Sequence, residues 1–376
     1  MTKTHLELAV AGVRGLKPYQ PGKPVSELER EYGVSGIVKL ASNENPLGPG
    51  DAVRQAISHA VDDIGRYPDG SGFALKQAIA ERHELPPDWV TLGNGSNDVL
   101  VLLAEAFLQP GLEAVYSRYA FAVYAIAVQA AGATARVVPA LDWDSPMPLG
   151  HDLEKMAGAI GPQTRLVFVA NPNNPTGTWV DGEGLKSFLD SVPRETLVVI
   201  DEAYAEYVEE PGYPDCCAWL REYQNLVVTR TFSKAFGLAG LRIGYALSHP
   251  GVADILNRIR QPFNVSSVAQ AAGVAALGDR AYLARSVEIN NAERRRVAAA
   301  LDSLGLRHVP SVGNFILVDF QRPAAPIYEA LLRRAVIVRP VANYGLPTCL
   351  RISIGTPDEN TRLISALTEA LVDAPD

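Results

Sequence analysis

Cysteine is scarce in this chain: three residues in 376, two of them adjacent at Cys216 and Cys217. That excludes a disulfide framework, and with no Cys-x-x-Cys pair and no Cys/His spacing of ligand type, no metal site is expected. A reducing compartment, the cytoplasm, fits this usage. Long apolar runs are also missing. The uncharged stretch 119–135 contains Gln129, Thr134 and many small residues, so it reads as a helix buried in a large domain and not as a membrane span. The opening MTKTHLELAVAG has no apolar core of the kind a secretory signal needs. No basic run offsets the net charge of −8, which argues against a nucleic-acid surface; Arg294-Arg295-Arg296 reads as the solvated face of a helix. An anionic substrate must therefore be met by local arginines.

What is present is the composition of a globular, not a disordered, protein, 47% hydrophobic and 20% charged. The length exceeds what one core usually serves, so a large and a smaller domain are expected. Strand-like apolar runs at 37–40, 115–116, 135–139, 165–170, 197–200 and 226–228 are interleaved with helical stretches such as 51–61 and 73–84. That alternation predicts an open α/β sheet. Beyond it, 252–260 and the long run 267–304 read as helices, and 314–319, 336–339 and 350–354 as strands of a small sheet. Thr356-Pro357-Asp358-Glu359 is a capping box that starts the last helix. Ahead of everything lies the arm GLKPYQPGKP, extended and without periodicity, carrying Tyr19.

The chemistry gathers where strands end. After the run 226–228 comes TFSKAFGLAGLRIG, with hydroxyls at Thr231 and Ser233, an amine at Lys234 and a guanidinium at Arg242. Two hydroxyls and an arginine make a phosphate cradle, and burial beside a cation lowers a lysine pKa toward that of a nucleophile. The set points to a phosphate-bearing aldehyde held as a Schiff base, although this loop alone fits a solvent-facing Ser-Lys segment as well. In GNGSND, Gly95, Ser96 and Asn97 fall at a helix N-terminus, which attracts anions; the pattern equally suits an ordinary strand-to-helix turn. In RYAFAVY, Tyr119 is either core or a stacking platform. NPNNPTG (171–177) turns asparagines, Asn174 among them, toward a ligand. DEAY ends a buried strand with Asp201, suited to a protonated ring nitrogen, and Tyr204, suited to a phenolate oxygen; a capping role for Asp201 stays open. Pattern does not place Tyr67, in the loop RYPDGSG.

Together these segments resemble the fold type I pyridoxal-phosphate aminotransferases and, within them, the histidinol-phosphate aminotransferase family. The resemblance runs from KPYQPGKP and NENPLGP to VIVRPVANYGLP and LRISIGT. It implies a mostly parallel central sheet with helices on both faces plus a smaller α+β domain, divided as an arm and small-domain segment over 1–45, a large cofactor domain over 46–265 and a small domain over 266–376. It implies pyridoxal 5′-phosphate bound covalently at Lys234, with its phosphate on Ser96, Ser233 and Arg242 near Gly95, Asn97 and Thr231, and Tyr67 arriving from a second subunit of a homodimer. Tyr119 would stack on the ring, Asn174 and Tyr204 would bond its phenolate, and Asp201 its nitrogen. Arg351 and Arg339 would clamp the substrate's anionic groups, with Asn43 beside them and Tyr19 on the arm reaching the same pocket from the partner chain. The implied reaction exchanges an amino group between histidinol phosphate and 2-oxoglutarate, with Lys234 as the proton shuttle. RYAFAVY and ANYGLP also suit an aromatic amino acid aminotransferase, the nearest rival. A phosphothreonine decarboxylase or a noncatalytic sensor is more distant; the sensor would need a DNA-binding domain ahead of the fold, and only about forty residues precede the first expected helix.

Overall fold

The computed structural model describes residues 4–373. A short strand β1 (Val38–Lys39) precedes the main sheet, which comprises β2 (Val90–Gly93), β3 (Glu113–Ser117), β4 (Thr134–Val138), β5 (Thr164–Ala170), β6 (Leu197–Asp201), β7 (Leu226–Thr231) and β8 (Gly244–Ser248). These seven lie in the order β2-β8-β7-β6-β5-β3-β4, with β8 antiparallel to both neighbours and the remaining pairs parallel. The apolar runs follow from burial on two faces. Val167, Val169, Val198, Ile200 and Val228 pack into one cluster, while Leu166, Phe168, Val199 and Val227 pack into another on the opposite side.

A four-stranded antiparallel sheet is built from β9 (Arg307–His308), β10 (Phe315–Asp319), β12 (Arg339–Pro340) and β13 (Cys349–Ser353), in the order β12-β13-β10-β9. Between them in sequence, β11 (Val336–Ile337) leaves this sheet and pairs in parallel with β1. The run expected as one strand over 336–339 is therefore two short strands serving different partners. The helical run 267–304 also divides, into Ser267–Gly278 and Arg280–Ser303, because Asp279 turns the chain and accepts a bond from Tyr282 N at 3.0 Å, capping the second helix. The capping box at 356–359 forms, with Thr356 N on Glu359 Oε2 at 2.8 Å.

Two expectations need correction. The first helix is not at 51: His5–Leu8, Ala11–Arg14 and Val25–Tyr32 precede it. The third has a single buried residue, Leu28, and is preceded by Lys23, which reaches Glu27 at 2.9 Å and Glu31 at 2.6 Å. The arginine triplet is not a plain solvated face either. Arg294 is half-buried and bonds the carbonyl of Ser311; Arg296 pairs with Glu293 at 2.7 Å and reaches Pro357 O at 2.6 Å; Arg295 alone is exposed. Among the described residues no helix is long and apolar enough to cross a membrane.

Strand β6 ends in two adjacent carboxylates that the pleat sends in opposite directions. Glu202, with no exposed surface, pairs with Arg230 of β7 at 2.6 Å, and Arg230 also reaches Glu206 at 3.1 Å. Burial pushes the Glu202 carboxyl up and Arg230 pulls it back. Arg230→Met strands that charge and is expected to destabilise the fold by about 3–5 kcal/mol at neutral pH in urea unfolding. Unpaired Glu202 then has a folded-state pKa still further above its unfolded one, so the deficit shrinks as pH falls and the carboxyl takes up a proton. A deficit independent of pH would show that Glu202 carries no charge in the native protein.

Candidate active site

The carboxyl ends of β5, β6 and β7, the start of β8 and the N-terminus of the helix Ser96–Phe107 meet at one edge of the main sheet, where open α/β sheets place ligands. They enclose a cavity of about 550 Å³. Its floor demands glycine: a Cβ on Gly244 would stand 2.3 Å from Ser96 N, and one on Gly95, at φ 85°, would stand 2.5 Å from Arg242 Nη2. Gly95 does not line the cavity itself but lets the guanidinium lie against the helix start. Ser96 and Asn97, with the N–H groups of that helix end, face Thr231, Ser233 and Arg242. Thr231 Oγ1 accepts from Ser233 N at 3.1 Å, and Arg242 Nη1 approaches Ser233 Oγ at 3.5 Å. This end of the cavity presents donors and positive charge, the makings of a phosphate site.

Lys234 stands in the middle, donating to Ser42 O at 3.3 Å, 5.6 Å from the centre of the Tyr204 ring. Burial first, then the guanidiniums of Arg351 and Arg242, lower its pKa from 10.5 to about 8, against the opposing pull of Glu44 and Asp201. Asp201 lies at the deep end, buried, with Tyr124 donating to one carboxylate oxygen at 2.7 Å and Thr229 to the other at 2.9 Å. Burial raises its pKa; these two donors and Lys234 counter that. Tyr204, its phenol pushed up to about 12 by burial, accepts from Asn43 Nδ2 at 3.0 Å. Asn43 itself sits at φ 52°, a conformation asparagine tolerates better than most residues.

The two arginines are cross-strand partners, Arg339 on β12 opposite Arg351 on β13. Arg351 gives Nη1 to Asn174 Oδ1 at 2.5 Å and Nη2 to Ala41 O at 2.8 Å, and lies over Phe315. Arg339 bonds Gln20 O at 2.5 Å and faces the ring of Tyr19 at 5.7 Å, so Tyr19 lines the cavity of its own chain and not, as expected, that of a partner. Their partners are neutral, so two guanidiniums side by side keep an attraction for an anion. With its oxygen taken by Arg351, Asn174 has its NH₂ group left for a ligand oxygen.

Besides Gly95, two expected residues are not in this cavity. Tyr119 falls in the turn after β3 and packs against the cluster of Leu149, Val309 and Leu317, its carbonyl accepting from Asn173 Nδ2 at 2.9 Å. Phe121, two residues on and at the start of the helix Ala122–Ala130, forms the wall instead. Tyr67 is 83% exposed and stacks on Phe263 at 4.7 Å on the outer surface. Phe121, Tyr124 and Thr229 were not anticipated; the one readable signal was the i, i+3 aromatic pair opening an apolar helix.

Residues 35–367 match the family described as aminotransferase class I and II. Histidinol-phosphate aminotransferase 2 of Pseudomonas fluorescens is 57% identical over 376 residues, covering 100% of both chains, and its namesake in Pseudomonas aeruginosa is 56% identical over 97% of this chain and 98% of its own. The chain belongs to the histidinol-phosphate aminotransferase family. A crystal structure of the Sinorhizobium meliloti histidinol-phosphate aminotransferase in complex with pyridoxal-5′-phosphate superposes with a TM-score of 0.89 at 32% identity, covering 98% of each chain. The fold is accordingly that of the fold type I aminotransferases, mostly parallel and α/β.

A lysine with a pKa near 8 becomes nucleophilic about two units earlier than an ordinary one. Brief acetylation of the protein free of small ligands, followed across pH by mass spectrometry, should modify Lys234 with a midpoint near 8, its neutral fraction rising as pH rises. A midpoint near that of the surface lysines would contradict the electrostatic account.

Proposed function

We propose that this chain exchanges an amino group between histidinol phosphate and 2-oxoglutarate, using pyridoxal phosphate held at Lys234. The carrying observation is one cavity that joins a lysine of lowered pKa, a buried carboxylate held by neutral donors and a cross-strand pair of arginines. The chain is a pyridoxal-phosphate-dependent transaminase of histidine biosynthesis by its family. Its residues fit that cofactor on their own terms: a cradle whose walls, Arg242 and the Ser96 backbone, close up only because Gly95 and Gly244 carry no Cβ, donors for a phosphate, and a buried carboxylate lining the same cavity.

In this reading Ser96, Ser233 and Arg242, with Thr231, Asn97 and the helix end, hold the phosphate. Asp201 meets the ring nitrogen, and Asn174 and Tyr204 meet the phenolate oxygen. Phe121 replaces Tyr119 as the wall against the ring. When bound, the cofactor supplies an aldehyde that condenses with amines and a ring that accepts the electrons of a cleaved Cα–H bond. Lys234 Nζ, neutral in a good fraction of molecules near pH 8, removes the substrate's α-proton and later delivers a proton as an acid. Arg351 and Arg339 orient the substrate through its phosphate or carboxylates, with Tyr19 and Asn43 at the rim. A homodimer completes the site: Tyr67, exposed together with Ile64 and Phe263, is suited to reach the cavity of a second copy. A cytoplasmic location accords with three free, buried thiols.

Lys234→Ala should lower turnover by at least about a thousandfold while noncovalent cofactor binding persists; substantial remaining transaminase activity would sink the mechanism. For Asp201→Asn, a severe loss of kcat with a modest change in cofactor affinity is expected in stopped-flow single turnovers. The substrate is decided by comparing kcat/KM for histidinol phosphate, phenylalanine and tyrosine with 2-oxoglutarate. Histidinol phosphate should exceed the others by roughly a hundredfold, because a substrate without its phosphate leaves a guanidinium unpaired. Parity would instead favour the aromatic reading.

A further inference from the structure

Tyr124 lies wholly inside the protein, its ring stacked on Phe168 at 4.7 Å with 10° between planes, while Phe121 meets it edge-on at 6.0 Å. Packing on face and edge fixes where the hydroxyl points, and it points at Asp201 Oδ2, 2.7 Å away. Thr229, one strand over on β7, takes Oδ1 at 2.9 Å. Each carboxylate oxygen thus holds one neutral donor. This differs from the neighbouring Glu202, whose charge Arg230 cancels directly at 2.6 Å. A buried carboxylate steadied by hydroxyls alone keeps its full charge for a partner in the cavity. Burial holds the Tyr124 phenol far above its usual value, so it remains a donor throughout the working range. Phe121 and Tyr124 also stand three residues apart at the start of one helix, so a single helical turn supplies both the cavity wall and the brace behind it.

We propose that Tyr124 is a positioning residue for Asp201: its hydroxyl, together with that of Thr229, aims the carboxylate at the cavity and keeps it anionic opposite a protonated ring nitrogen. This rests on the reading that Asp201 meets that nitrogen. The proton between the two groups sits on nitrogen as long as the carboxylate is the weaker base. Removing a donor from Oδ2 makes the carboxylate more basic, and the proton moves from nitrogen to Asp201, leaving a neutral pair; nothing is gained or lost overall.

The test uses holoenzyme reconstituted with pyridoxal phosphate labelled with ¹⁵N in the ring. In the wild type the ¹⁵N chemical shift should be that of a protonated nitrogen. In Tyr124→Phe, which keeps the ring packing, it should move toward the unprotonated value, and cofactor dissociation should quicken by roughly tenfold to a hundredfold, the range for a hydrogen bond to a charged group. Thr229→Val should act in the same direction. A merely structural role for Tyr124 would lower melting temperature or kcat and leave the ¹⁵N shift in place. If Asp201→Asn moves the signal and Tyr124→Phe does not, the proposal for Tyr124 is overturned while the reading of Asp201 stands. If Asp201→Asn also leaves it unmoved, both fall. Should Tyr124→Phe not fold, 3-fluorotyrosine at position 124 serves: as a stronger donor of nearly the same shape it must raise the pH at which the nitrogen loses its proton, and an unchanged titration overturns the proposal.

Discussion

Placing ionisable groups at the buried carboxyl edge of a parallel sheet is the constraint to which the rest of this chain answers. Removing a charge from water is costly unless it is paired or well bonded. Adjacent residues at the end of β6 meet that demand in two ways. Glu202 turns to one side and is neutralised by Arg230, which makes it part of the scaffold. Asp201 turns to the other and receives only hydroxyl donors. One carboxylate fastens two strands; its neighbour stays electrostatically unspent. The same logic governs the cations. Arg351 and Arg339 are held by carbonyls, an amide and aromatic faces, which fix the guanidiniums while leaving their charge available, and the buried Nε of Arg351 has no partner among the described residues.

Much of the main sheet was legible because burial on two faces leaves uninterrupted apolar runs, and the polar residues that interrupt them mark the ends of strands. NPNNPTG, DEAY and TFSK could be placed at an edge for that reason alone. The same signal hides Thr229 and Tyr124. Threonine in a buried strand looks like any β-branched residue, and a tyrosine in an apolar helix looks like core. Tyr119, at the end of a strand, is the aromatic that pattern alone offers as the wall. Which of three aromatics in RYAFAVY faces the cavity depends on where the helix begins, and sequence locates such boundaries only to within a few residues. The structure puts Phe121 at that boundary.

Other misreadings concern local balance. The helix Val25–Tyr32 buries only Leu28, and its apolar face, Val25, Leu28 and Tyr32, is too short to stand out in the sequence; Lys23 adds ion pairs to Glu27 and Glu31. The triplet 294–296 looked uniformly solvated because charge dominates its composition, yet a helix turning 100° per residue sends each arginine to a different environment. Arg339 and Arg351 are twelve positions apart, and only the register of β12 against β13 makes them neighbours. The loop around Asn43 is likewise fastened from afar, with Asn43 N on Ser353 Oγ at 2.8 Å and Asn314 Nδ2 on Asn43 O at 2.9 Å.

Because β1 finds its partner in β11, some three hundred residues downstream, the early and late parts of the polypeptide close on each other. Synthesis proceeds from one end, so a chain emerging from the ribosome can assemble the seven-stranded sheet while Val38 and Lys39 still wait for a companion strand. The rim at Asn43, and with it the seat of Arg351, is completed only once Asn314 and the strand Cys349–Ser353 have been made. A truncated product would therefore hold the phosphate cradle but lack the arginines on the substrate side.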